Sequence, residues 1–319
     1  MKIISLFCGA GGMDYGFIKA GHKIVWANDN DQDSCNTYEG YFKHKPVCKP
    51  IGDILSSEIP EADVVIGGFP CQGFSIANPY RNTKDSRNKL YLELKRIIRD
   101  KKPKYFIAEN VTGLCSLGGY KDKKDKKEHK GIVLKKILKE LEKANEMGYH
   151  IEFKILNSAD FGVPQIRRRA IILGTRKDIS TKLKHPNPIL SKEEWKTVGE
   201  ALGGLPEQPD KKGDKEQKEF NNHIGTGHRV KINNYMGNRP TNLNKPSPTI
   251  VGRGGGTGGP VIIPHPNGKR RMTVRETARL QSFPDDFIFE GSVTSQYRQI
   301  GNAVPWLLAF YIAKMLPED

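Results

Sequence analysis

Short apolar runs recur along the first half of this chain, and stretches of helical spacing separate them. Residues 2–7, 23–27, 63–67, 104–108 and 170–174 are brief and rich in β-branched or aromatic side chains, which is the composition of buried strands. Residues 131–147 place Leu134, Ile137, Leu138 and Leu141 on one helix face and run out at Gly148. Strands alternating with helices need crossover connections, so an α/β fold with a mixed, largely parallel sheet is expected. The 319 residues suffice for one large domain or two unequal ones.

Composition changes near residue 178. Residues 180–270 are dense in Pro, Gly, Asn and Lys and contain the run Gly252-Arg253-Gly254-Gly255-Gly256-Thr257-Gly258-Gly259. They read as a small loop-rich domain (180–270) set between a first domain (1–179) and a return segment (271–319). Helical spacing resumes at Thr273–Leu280, and Pro305 opens a last helix expected to fold back on the first domain. The lysine-rich run 121–130 reads as a solvated, mobile loop, with a phosphate contact as the alternative.

The chain carries 52 basic and 36 acidic residues, a net charge of +16, which favours a polyanionic partner, nucleic acid before membrane. Its five cysteines (8, 35, 48, 71 and 115) include no Cys-x-x-Cys pair. That argues against a disulfide framework or a zinc site and for a reducing compartment, so a cytoplasmic protein without a metal is expected. No signal-peptide pattern and no membrane-spanning apolar stretch is seen.

Five probable strand ends carry candidate chemistry. After the first strand comes Phe7-Cys8-Gly9-Ala10-Gly11-Gly12, whose glycines would let a cofactor approach the backbone beside free helix N–H groups. Asp14 stands where a dinucleotide fingerprint needs glycine, which argues against a dehydrogenase. Asp29, 20 residues beyond Gly9, can accept both ribose hydroxyls, and Gly52-Asp53-Ile54 offers a second acid after another probable strand. The apolar run Val64-Val65-Ile66 leads into Gly67-Gly68-Phe69-Pro70-Cys71-Gln72-Gly73-Phe74-Ser75, a loop that displays one thiol. Glu109 follows Tyr105-Phe106-Ile107, and Arg167 and Arg169 in Gln165-Ile166-Arg167-Arg168-Arg169 share one face of an extended segment.

In this order these motifs resemble the DNA cytosine-5 methyltransferases of prokaryotic restriction-modification systems. Arg275–Pro284 and Gln299–Pro305 look like that family's two late motifs. The resemblance implies a Rossmann-like S-adenosylmethionine-dependent domain, with residues 180–270 as the target-recognition domain. It implies a cofactor pocket of Phe7, Gly9, Ala10, Gly11, Gly12, Asp29, Asn30, Asp53, Ile54, Pro70, Leu90, Asn302 and Ala303. Phe7 would stack on adenine, Asp29 would hold the ribose and Asp53 would accept from the adenine amino group. Cys71 would be the nucleophile and Glu109 would serve cytosine ring nitrogen 3. Arg169 would contact the ring oxygen and Arg167 the neighbouring phosphates or the catalytic loop, with an exchange of the two left open.

DNA contacts fall by the same likeness on Gln72, Ser75, Arg87, Gln165, His228, Arg229, Lys231, Arg239 and Arg253. For any one of the last five, phosphate contact or a bare solvated charge is favoured over base readout. Ser5 and Asn88 depart from the family, which often has aspartate and glycine there. The implied partners are double-stranded DNA and a cognate endonuclease, and the implied state is a monomer. A transfer-RNA methyltransferase fits the full-length glycine-rich insert less well. A non-catalytic DNA-binding module would require loss of Cys71, Glu109 or the glycine turn.

Overall fold

A computed structural model describes residues 1–69, 90–207, 209, 220–225, 240–252 and 263–317. Its sheet has seven strands: β1 (Lys2–Leu6), β2 (Lys23–Asp29), β3 (Val47–Cys48), β4 (Val64–Gly68), β5 (Tyr105–Val111), β6 (Tyr149–Asn157) and β7 (Arg168–Arg176). The order is β3-β2-β1-β4-β5-β7-β6, and β7 runs antiparallel to both neighbours while the other pairs are parallel. The central strands are buried on both faces, which is why they read as continuous apolar runs. β6 lies at the sheet edge. Its Ile151, Phe153 and Ile155 pack inward while Glu152 and Lys154 alternate with them, a period of two that the strand expectations above do not include.

Helices cover both faces. α3 (Leu90–Lys101) and α5 (Ile132–Glu142) bury Leu94, Ile97, Leu134, Ile137 and Leu141 against one face. α1 (Gly12–Lys19) and α9 (Trp306–Ala313) bury Phe17, Leu308 and Ile312 against the other, so the last helix does return to the first domain. α2 (Gln32–Phe42) follows β2 and is capped by the Asp31 side chain, which accepts from Ser34 N–H. α5 stops six residues short of the Gly148 end point expected above. The Asn145 side chain accepts from the Gly148 N–H at 2.8 Å and so offers the backbone a turn in place of the helix. The run 121–130, expected as a loop, contains a short helix, α4 (Lys123–Lys127), capped by Asp122.

A third core joins the variable region to the return segment. Val198 on α6 (Val198–Leu202) and Ile250 pack with residues of α7 (Val274–Leu280), with Phe283, Phe287 and Phe289, and with Ile300 of α8 (Val293–Asn302). Arg275, buried in its centre, donates to the carbonyls of Asn221, Pro284 and Phe287 at 2.7–2.9 Å. The late helical motif therefore fastens a core.

Candidate active site

The carboxyl ends of β1, β2, β4 and β5 share one edge of the sheet, where open α/β folds carry their ligands. Beyond β1 the backbone turns through positive φ at Phe7 (55°), Gly9 (55°) and Gly11 (89°) before α1 begins. Such a φ is costly for a residue as bulky as phenylalanine, and strain of this kind concentrates at ligand sites. Asp29 secures the turn, accepting from Gly9 N–H at 2.8 Å and Asp31 N–H at 2.9 Å, while burial pushes its carboxyl up. A carboxylate has about four acceptor sites, so capacity remains beyond its backbone N–H donors for a ligand hydroxyl. Space above Gly9 is open, with no atom within 4 Å of where a Cβ would stand. Ala10 is buried, and Gly12 abuts the backbone of Val304, which seats Ala303 beside the turn. Asn302 is exposed and lies against Gly252.

Asp53 ends the 3-10 turn Ile51–Asp53 and is exposed at a small open cleft of about 120 Å3. Trp26, Val47, Lys49, Ile54 and Glu58 complete its lining. Asn30 is exposed at the end of β2, and Leu90 packs at the margin of the core that also receives Phe7. An open glycine turn, a half-buried acid and a second acid beside an aromatic cleft suit a nucleoside-bearing cofactor.

One residue of this edge was not singled out above. Arg96 on α3 donates to the carbonyls of Ile51 (2.9 Å) and Ile54 (3.1 Å) and to Ser56 Oγ (2.8 Å). It therefore holds the Asp53 turn from behind.

At the β4–β5 pair, Gly68 stands opposite Glu109. A Cβ at Gly68 would lie 2.9 Å from Glu109 Oε2, so only glycine leaves that carboxylate its room. Glu109 is 8% exposed, and burial raises its pKa against the opposing pull of Arg169 and Arg167. Arg169 Nε lies 2.8 Å from Glu109 Oε1. The next residue, Asn110, was also unforeseen. Its buried amide donates to Phe69 O at 3.0 Å and tethers the backbone immediately ahead of Pro70 and Cys71.

The arginine motif divides by depth. Arg168 is exposed, while Arg167 and Arg169 both turn inward. Arg167 is 1% exposed and donates to the carbonyls of Ile250 (2.6 Å), Gly301 (2.8 Å) and Ala303 (2.9 Å). Of the two roles expected for it, contact with phosphate is corrected, and the catalytic loop lies outside the described residues: its guanidinium joins the variable region and the return segment to the catalytic edge. Gln165, expected at DNA, is corrected likewise. It is 0% exposed, donates to Leu280 O at 3.1 Å and accepts from Ile250 N–H at 2.9 Å. Pro70, Cys71, Gln72, Ser75, Arg87, His228, Arg229, Lys231, Arg239 and Arg253 lie outside the described residues. Among the described residues no helix is long and apolar enough to cross a membrane.

The family model for C-5 cytosine-specific DNA methylases matches residues 1–318. A type II methyltransferase of Fusobacterium nucleatum, M.FnuDI, is 36% identical over 100% of this chain and 94% of its own length. M.MthTI of Methanothermobacter thermautotrophicus, another type II methyltransferase, is 36% identical over 100% of this chain and 98% of itself. Among solved structures, a prophage-encoded protein of E. coli described as a DNA modification methyltransferase superposes with a TM-score of 0.71. It is 26% identical and covers 99% of this chain and 98% of its own. Dnmt2 of S. pombe shares the fold with a TM-score of 0.66 at 17% identity, covering 98% of this chain and 96% of its own. With the motifs, the fold and the family match in agreement, the chain belongs to the C-5 cytosine-specific DNA methylases, which take their methyl group from S-adenosylmethionine.

Proposed function

We propose that this protein methylates carbon 5 of a cytosine within a short duplex DNA sequence, as the modification enzyme of a restriction-modification system. Carbon 5 is too weak a nucleophile to take a methyl group directly. The Cys71 thiolate would add to carbon 6 and make the ring an enamine, whose carbon 5 would take the methyl group as its bond to the sulfonium sulfur breaks and the thioether leaves. Loss of the carbon-5 proton then expels the thiolate and restores the ring double bond. The observation that carries this reading is Glu109, a buried carboxyl with a raised pKa, opposite Gly68 and in contact with Arg169. A carboxyl that burial makes easier to protonate can donate to ring nitrogen 3 as carbon 6 is attacked. Cys71 follows Gly68 by three residues, so chain length alone limits their Cα separation to about 11 Å.

Asp29 and Asp53 would hold the ribose and adenine of S-adenosylmethionine, which supplies the electrophilic methyl group. Residues 180–270 would read the target sequence while the cytosine leaves the stack, at a cost of a few kcal/mol. A cognate endonuclease, supported by the type II names of the relatives, and a monomeric enzyme complete the proposal. The test is Cys71→Ala. It is expected to abolish methyl transfer to DNA while DNA and S-adenosylmethionine binding stay within about threefold of wild type. Turnover near the wild-type rate in that variant would exclude the covalent route.

A further inference from the structure

Residues 121–130 comprise six lysines, three acids and one histidine. The structure shows what occupies the acids. Asp122 caps α4 by accepting from Asp125 N–H at 2.8 Å. Asp125 is buried and pairs with Lys135 at 2.5 Å, and Glu128 pairs with Lys130 at 3.1 Å. Lys121, Lys123, Lys124, Lys126 and Lys127 are exposed, and among the described residues none of them has a carboxylate within ion-pair distance. The base of this excursion is closed by Gly131 N–H donating to Cys115 O (2.8 Å) and Ile132 N–H to Gly119 O (3.0 Å). Five unpaired cations are thus presented on a short, capped and stitched element.

Topology places that element. β5 ends with Glu109, Asn110 and Val111 at the carboxyl edge of the sheet. β6 runs in the same direction as β5, since both are antiparallel to β7. α5, which connects the excursion to β6, must therefore start at the carboxyl edge, and the lysines stand on the same edge as Glu109. The five lysines lie twelve to eighteen positions beyond Glu109. Even fully extended those lengths span at most about 43 to 65 Å, roughly one to two turns of duplex.

We propose that the α4 excursion is a phosphate-binding surface for duplex DNA, contacting the backbone within about two helical turns of the target cytosine. This rests on the methyltransferase reading and adds to it a contact surface apart from residues 180–270. Lysine serves here as a point charge. It neutralises phosphates and releases counterions without reading sequence, so the surface contributes affinity and salt dependence.

The test replaces all five side chains together: Lys121→Gln, Lys123→Gln, Lys124→Gln, Lys126→Gln and Lys127→Gln. Binding to an unmethylated 40-base-pair duplex is followed by fluorescence anisotropy between 0.05 and 0.2 M NaCl. The expected result is at least tenfold weaker binding at 0.1 M salt, with the log–log salt slope shallower by about two or more. S-adenosylmethionine binding and the melting temperature should match wild type. A control pair at the opposite edge, Lys2→Gln with Lys23→Gln, is expected to leave the slope in place. A wild-type slope in the five-fold variant, or an equal loss in the control pair, would overturn the assignment. Transfer-RNA binding is measured alongside, and a loss confined to it would also refute the DNA assignment. Methyl transfer by the wild-type protein is read on the same duplex and on genomic DNA. Its absence from both would refute the methyltransferase reading, whereas transfer with an unchanged salt slope would refute only the lysine surface.

Discussion

Asp14 lies in the first turn of α1, wholly buried, where the Ser5 and Tyr38 hydroxyls each donate to it at 2.7 Å. Burial pushes its carboxyl up to about 6, and the two donors only partly oppose that. Because the folded pKa lies above the ordinary 3.8, the folded state binds this proton more tightly, and the group's contribution to stability grows as pH falls from about 7 towards 4. Relative to Asp14→Asn, the wild type should gain about 1.4 kcal/mol between pH 7.5 and pH 5 in urea unfolding. A pH-independent difference would mean that Asp14 ionises as freely as it does in water. Arg96 works on the neighbouring pocket wall. Arg96→Met removes its bonds to the Ile51 and Ile54 carbonyls and should weaken S-adenosylmethionine binding about tenfold, with kcat nearly unchanged. A fall in kcat at constant KM for the cofactor would contradict a role confined to holding the Asp53 turn.

At the scale of elements, closure of the molecule depends on α9 lying against α1. A Cβ at Gly16 would stand 2.5 Å from Trp306 O and 2.6 Å from the Ala309 Cβ, so the two helices meet backbone to backbone. Gly16→Ala should cost about 1–3 kcal/mol of stability by forcing them apart, read as a lower urea midpoint. An unchanged midpoint would show that the contact yields without strain. The parallel strands, the glycine turn and the final helix were legible in the sequence because each is local: an apolar run, a turn residue, a proline. β6 was missed because an edge strand alternates charge with apolar residues and lacks a continuous run. α4 was read as a loop because lysine repetition hides a one-turn helix whose signal is the Asp122 cap. Arg96 and Asn110 escaped notice because their partners stand 40–45 residues away, a separation that no local pattern encodes. For the same reason Gln165 and Arg167 passed for DNA-facing groups. Their partners lie 83–136 residues further on, and a buried arginine looks like an exposed one until the fold shows which carbonyls surround it.

For the whole molecule, three cores are joined by buried polar side chains. Arg167 and Gln165 tie Ile250 to the catalytic edge, and Arg275 fastens α7 to the chain that follows it and to Asn221. This gives the variable region a fixed attachment to the edge that carries Glu109. The net charge of +16 suits the same partner. The central claim is transfer of a methyl group to cytosine carbon 5 in duplex DNA. The most direct measurement follows tritium from labelled S-adenosylmethionine into unmethylated genomic DNA and then sequences the product after bisulfite treatment. Label confined to cytosines within one short motif is the predicted result. Label absent from DNA, or entering transfer RNA alone, would contradict it.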